Sequence, residues 1–269
     1  LHTVNILATV RTAELLDAAL LVFRTVRVGF PTATINVWGN ALAYPFERAV
    51  AKAAKECGAF VNNLPATQHD IWLEGLLHLA TQPFWVCDTD VVFWDSLEEF
   101  KLEMASGVAM AGRFEPAFDE EFTGTLHMER LHTAVMYLHP AHVRARMRAW
   151  VAAIPEGFAG GRTADFPFVR QHFIPVLGQR AVFYDTCAGL WQAGIGSEFD
   201  EVQNDCFDHL HCATYVDRIA SALSVDLVAA HRAIYADHNR ARGMRHEQQK
   251  YYERLAPKGN NALFANNLR

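Results

Sequence analysis

Asp88 and Asp90 stand one residue apart in "PFWVCDTDVVFW" (83–94), inside an otherwise apolar run. In an extended chain, residues i and i+2 point to the same side, so both carboxylates aim at one object. Two carboxylates held together repel, and burying them raises their pKa values, so the pair calls for a cation. An oxygen-preferring divalent ion, Mn²⁺ or Mg²⁺, satisfies both and leaves positions for the oxygens of a diphosphate. Thr89, between them, is a further candidate for contact with the bound ligand. A bare Asp-x-Asp tripeptide arises by chance in a chain of this length, so the weight rests on its place at the end of "FWVC". The competing local role is capping a helix near Ser96. Asp95 or Ser96 already fills that role, with Glu99 three residues on.

A second group lies far downstream. "CFDHLHC" (206–212) puts His209 and His211 on one face of an extended segment, and imidazole joins carboxylates on Mn²⁺. His211 is favoured as the third ligand, with His209 as the other choice. Two rivals use the same residues. Cys206, His209, His211 and Cys212 could hold zinc, although residues 211 and 212 point to opposite faces of a strand. A zinc-dependent hydrolase would use the His209/His211 pair, but the Asp-His expected after it is replaced by "CATYVD".

These residues need elements that bring them together. "VNILATV" (4–10) reads as a strand, followed by a helix with Thr12 as N-cap and Leu15, Leu16, Ala19, Leu20 and Phe23 on its apolar side. "ATINVWGN" reads as a strand, "YPFERAVAKAAKECG" as a helix with Pro45 in its first turn and Gly58 past its end, and "AFVNNLP" as a strand. A helix capped by Thr67 follows, with Asp70 favoured in its first turn by the helix dipole, and leads into "FWVCD". Strands alternating with helices predict an α/β fold with a mostly parallel central sheet flanked by helices. A central parallel strand ends at the crevice where such sheets bind ligands, which is where Asp88 and Asp90 fall.

After residue 95 the alternation lapses, which predicts a mixed half. "DSLEEF" offers a short helix, strands are expected near 107–113 and 133–138, and "AHVRARMRAWVAAI" reads as a helix whose arginines lie on a solvated face. "AVFYDT" and "FDHLHCATYV" are further strands, and from His231 a helix and loose tail are expected.

The 269 residues are 51% hydrophobic, which is enough for a sizeable core. A net charge of -6 supplies no basic field for nucleic acid, so any phosphate is held locally. Five cysteines without a CxxC pair predict reduced thiols and a cytoplasmic location. No apolar run approaches a membrane span; Arg240, Arg242, Arg245 and Lys250 offer either a closing contact for a diphosphate, a peripheral contact with an anionic surface, or a wet helix face.

Three segments, "WVCDTDVVF", "LHTAVMYLHP" and "FDHLHCATY", resemble in order and spacing those of glycosyltransferases of the GT-A fold. "LHTA" departs from the Asn-Ser-Gly common there, which touches the acceptor-side role of His132 and Thr133. The resemblance implies a single domain over 1–230, with a nucleotide-binding half to about residue 95, an acceptor half beyond it, and a C-terminal extension over 231–269. It implies a nucleotide-sugar donor, with uridine as nucleoside, and a carbohydrate or other hydroxyl acceptor. Asp90 would be a direct metal ligand and Asp88 would reach both ribose and metal. Thr9 and Arg11 would contact the base and ribose, where a helix cap and a surface charge are the local alternatives. An inverting transfer needs a base for the acceptor hydroxyl, for which Asp185 and Asp200 are the candidates beside Glu198, and Trp191 could stack on a sugar, with a structural or solvated role as the commoner alternative for each. A non-catalytic nucleotide-sugar-binding module fits the same fold.

Overall fold

The computed structural model describes residues 2–10, 13, 16–102, 105, 107–120, 125–154, 167–174 and 181–209. The first four strands are β1 (Thr3–Ala8), β2 (Thr34–Asn40), β3 (Phe60–Leu64) and β4 (Phe84–Cys87); between them run α1 (Leu16–Ala19), α2 (Leu21–Gly29), α3 (Phe46–Glu56) and α4 (His69–Leu79). This is the predicted alternation. It comprises β-branched and aromatic runs, each followed by a helix that covers one face of the sheet. Gly58, at φ +70°, takes the left-handed position that ends α3, where a side chain would be strained.

Past β4 come β5 (Val91–Phe93), β6 (Met110–Glu115), β7 (Phe118–Glu120), β8 (Thr125–His127), β9 (Arg130–Leu138), α5 (Pro140–Ala153), β10 (His172–Ile174), β11 (Ala181–Tyr184), α6 (Ala188–Gln192), β12 (Ser197–Glu198), α7 (Glu201–Asp205) and β13 (Phe207–His209). Seven strands make the main sheet, in the order β12-β6-β9-β4-β1-β2-β3. Four of its six pairings are parallel; β9 runs antiparallel to both β4 and β6. The fold is therefore mixed α/β with a mostly parallel central sheet, and strands from both halves of the chain share it. A second sheet takes the order β10-β11-β8-β7, and among the described residues β13 pairs with β5.

The core lies on both faces of the main sheet. One face packs Ile6, Ile35, Val37 and Trp85 under Val22, Val26 and Phe30; the other packs Phe84, Val86, Met136 and Leu138 under Leu73, Leu77 and Val143. Every residue of β4 is buried, as expected of a strand covered on both sides. Trp85 anchors the first layer, 5.1 Å from the Phe30 ring and 5.4 Å from Tyr137. Truncating such a side chain to alanine costs about 3–5 kcal/mol.

Several local expectations change. Thr67 does not cap α4, because Gln68 holds the N-cap position without a side-chain bond. The Asn40 side chain instead takes both polar groups of Thr67, donating to its carbonyl at 2.9 Å and accepting its N–H at 2.8 Å. A side-chain amide thus does the work of a peptide group and fixes where α4 begins. "DSLEEF" yields a 3₁₀ turn over Glu98–Phe100 rather than an α-helix. Arg144 and Arg146 of α5 are not simply solvated: Arg144 donates to the carbonyls of Leu77 and Ala80, and Arg146 to that of Gly107. Among the described residues no helix is long and apolar enough to cross a membrane. The expected strand beyond His209, with His211 and Cys212, and the basic stretch with Arg240, Arg242, Arg245 and Lys250 lie outside the described residues, as do Arg11 and Thr12.

Candidate metal centre

β4 runs between β1 and β9 and delivers Asp88 at its carboxyl end. The Asp88 N–H donates to the Ala134 carbonyl at 2.8 Å, so pairing with β9 continues one residue past the strand. The chain then turns through Thr89, whose carbonyl accepts from the Val22 N–H at 3.0 Å, and returns as β5. β13 lies antiparallel on β5 with His209 opposite Val91, next to Asp90. His209 Nε2 is 3.2 Å from Asp90 Oδ1 and 4.0 Å from Asp88 Oδ2. One ligand atom from each of Asp88, Asp90 and His209 lies within 4.8 Å of the others.

The electrostatics favour a cation among them. Burial raises the Asp88 carboxyl above its usual range and Asp90 adds to that, while His69, His209 and Arg130 pull it back. Two oxygens and one imidazole nitrogen form a donor set suited to Mn²⁺ or Mg²⁺, with positions left for other oxygens. Cys206 takes no part, since its thiol donates to the Val202 carbonyl at 3.3 Å and burial pushes its pKa up. That weakens the thiolate zinc site, which needs Cys206 deprotonated and turned toward His209.

Two further histidines border the group. His69, the first residue of α4, places Nε2 3.8 Å from Asp88 Oδ1 and its ring 5.6 Å from Trp72. His132 sits on β9 with its ring 4.9 Å from that of His209. Its Nδ1 accepts from the Ala134 N–H at 3.0 Å, which leaves the proton of the neutral ring on Nε2. Sequence reasoning gave His69 no site role. Its signal is present only in three dimensions, through the Asn40 bonds that place α4.

The other residues singled out are held elsewhere. Asp185 is tied to Arg130 at 3.1 Å, to the Gln171 amide at 2.7 Å and to the Thr186 N–H at 2.7 Å. Burial alone raises its carboxyl, but Arg130, Thr186, Gln171 and His127 outweigh that and hold it below the ordinary carboxylate value. A carboxylate so stabilised is a weaker proton acceptor, and its partners anchor Asp185 to Arg130 of β9, to Gln171 and to Thr186. Asp200 is the N-cap of α7, accepting from the Gln203 N–H at 2.8 Å while Gln203 Oε1 accepts from the Asp200 N–H at 3.0 Å. This is a capping box, and it engages the carboxylate expected to serve as a base. Trp191 packs 5.2 Å from Phe114, and Glu198 lies exposed on β12. Thr9 Oγ1 accepts from Asn40 Nδ2 at 3.2 Å just past β1, which leaves its hydroxyl proton to donate. Asp70 lies in the first turn of α4, as expected, and is buried there, its Oδ2 accepting from the Gln171 N–H at 2.9 Å.

No family model and no curated protein matches this sequence. Solved structures that resemble it include the glycosyltransferase GlyE of Streptococcus pneumoniae TIGR4, at 8% identity and TM-score 0.44 over 82% of this chain and 51% of that one. The galactosyltransferase LgtC in complex with donor and acceptor sugar analogs is 10% identical, with TM-score 0.43 over 77% of this chain and 86% of that one. The mannosyltransferase PcManGT of Pyrobaculum calidifontis, in complex with GDP-Man and Mn²⁺, is 15% identical, with TM-score 0.36 over 69% of this chain and 56% of that one. The matched part thus spans about half the length of GlyE and of PcManGT.

Proposed function

We propose that this chain is a metal-dependent glycosyltransferase that moves a sugar from a nucleotide-sugar donor, with uridine as the nucleoside, to an acceptor hydroxyl. The observation that carries this reading is the meeting of Asp88, Asp90 and His209 at the carboxyl end of a buried central strand. Asp90 and His209 would hold Mn²⁺ or Mg²⁺, with Asp88 as the third protein ligand. When bound, the ion supplies Lewis-acid stabilisation of the charge that builds on the leaving nucleoside diphosphate.

The chain's own residues supply position and charge balance. Asp88 faces His209 with one oxygen and His69 with the other, so a single carboxylate bridges the ion position and the side of the site bordered by α4. Thr9 offers a hydroxyl proton to the donor beside β1. His132, carrying its proton on Nε2, offers a hydrogen bond and not a base. In the transfer the bond between the sugar carbon and the diphosphate oxygen breaks with its electron pair going to the nucleoside diphosphate, the acceptor oxygen bonds that carbon, and the acceptor's proton passes to water or to the departing diphosphate.

The test is thermal shift and calorimetric titration against a panel of sugar nucleotides, each with and without Mn²⁺. A bound ligand raises the melting temperature by mass action, so one donor should stabilise the protein only when the metal is present. Stoichiometric zinc with no response to any sugar nucleotide would favour the hydrolase instead, and donor binding without turnover would favour a binding module.

A further inference from the structure

Among the described residues, His209 reaches the proposed site on β13, which pairs with β5 and follows the five-residue helix α7. A contact that holds this arm comes from β6, beside an irregularity in its pairing with β9. Their register holds from Met110↔Leu138 to Gly112↔Met136 and resumes at Phe114↔Leu131, so one residue of β6, Arg113, faces the four from His132 to Val135. The extra residues of this irregularity belong to β9, and Arg113 is the single β6 residue opposite them.

Arg113 reaches the arm that leads to His209. Its Nε donates to Asn204 Oδ1 at 3.1 Å, and its Nη2 donates to the carbonyls of Asn204 at 2.9 Å and Phe207 at 3.1 Å. The guanidinium carbon lies 4.4 Å from the Phe207 ring centroid. These four contacts converge on the last turn before His209. Each of the three acceptors is neutral, so the guanidinium works here as a planar hydrogen-bonding fork that an ammonium cannot reproduce.

We infer that Arg113 is the positioning residue of the third metal ligand: by clamping Asn204 and Phe207 it sets the His209 imidazole against Asp90, and it acts on the metal only through His209. The inference rests on the proposed metal site. The opposite strand of the same irregularity carries His132, whose ring borders His209, so both sides of the break in the ladder converge on one imidazole.

The experiment is Mn²⁺ titration followed by electron paramagnetic resonance, without sugar nucleotide, on the wild type, Arg113→Met, His209→Ala and the double variant. Losing a residue that orients a metal ligand weakens affinity about 10–100-fold. Arg113→Met should therefore raise the Mn²⁺ Kd about tenfold, His209→Ala at least as much, and the double variant no more than His209→Ala alone. Methionine keeps an apolar stem over Phe207; should it prevent folding, Arg113→Lys gives the same comparison, and amide exchange at Phe207–His209 should accelerate in either variant. A wild-type Kd in Arg113→Met, or losses that multiply in the double variant, would overturn the inference and leave the metal site standing. A wild type that binds no Mn²⁺ would overturn both.

Discussion

His209 Nε2 lies 3.2 Å from Asp90 Oδ1 although 119 positions separate them in the chain. The approach is set by strand pairing, with His209 opposite Val91, so the imidazole meets the aspartates through backbone hydrogen bonds as well as through its own ring. A site assembled from two such distant segments depends equally on the residues that dock them.

Replacing Asp88 or Asp90 by asparagine should separate metal binding from folding. Either change removes one of two carboxylates that repel, so the metal-free protein should keep its stability or gain about 1 kcal/mol. The rise in melting temperature on adding Mn²⁺ should vanish, and the Mn²⁺ Kd measured by calorimetry should rise about 100-fold. Undiminished stabilisation by Mn²⁺ in Asp90→Asn would remove Asp90 from the site.

The Asp185–Arg130 pair gives stability a defined pH dependence. Because the folded Asp185 carboxyl is held below its unfolded value, its contribution is complete above about pH 4 and is lost as pH falls through the folded pKa. Asp185→Asn should thus cost about 2 kcal/mol at pH 7, and its deficit against the wild type should shrink below pH 4. Urea unfolding at pH 7, 5 and 3 reads this directly; a deficit that is constant across that range would contradict it.

The strands that position Asp88 and Asp90 were legible because they rest on local pattern. Apolar runs bounded by turns located β1 to β4, and burial of β4 on both faces placed Asp88 and Asp90 at a sheet end. The choice between His209 and His211 was not legible, since residues two apart share a face in any strand; His209 lies beside Asp90 through the pairing of β13 with β5, and His211 lies outside the described residues. For Asp185 and Asp200 the sequence offered a structural or solvated role beside a catalytic one, and their partners, Arg130 and the Gln203 backbone, become partners only after folding. His69 was hidden for the same reason. Its place follows from the bonds between Asn40 and Thr67, which no periodicity encodes.

Trp94 should matter to the site without touching a ligand. Its indole N–H donates to Asp208 Oδ2 at 2.6 Å, beside His209. Trp94→Phe removes that donor to a buried carboxylate, for an expected loss of about 1–3 kcal/mol and a weaker Mn²⁺ Kd. Urea unfolding and metal titration on the same variant check both; unchanged stability would show that the bond contributes nothing.

Gly29 should resist even alanine. A Cβ there would lie 2.5 Å from Cδ1 of Phe93, a ring locked against Phe30 at 5.3 Å and Phe207 at 6.3 Å. Gly29→Ala should destabilise the protein by about 1–3 kcal/mol through overpacking, despite the better helix propensity of alanine. A thermal melt at or above that of the wild type would show that Phe93 yields freely.

The insertion of β9 between β4 and β6 has a consequence for synthesis. The strand leading into Asp88 leaves the ribosome well before Arg130–Leu138, its neighbour on one side. Until that later segment arrives, Phe84, Trp85 and Val86 flank an open row of amides and carbonyls, a template for pairing between nascent chains. Chaperone demand during translation is thus written into the same topology that seats the aspartates at the heart of the sheet.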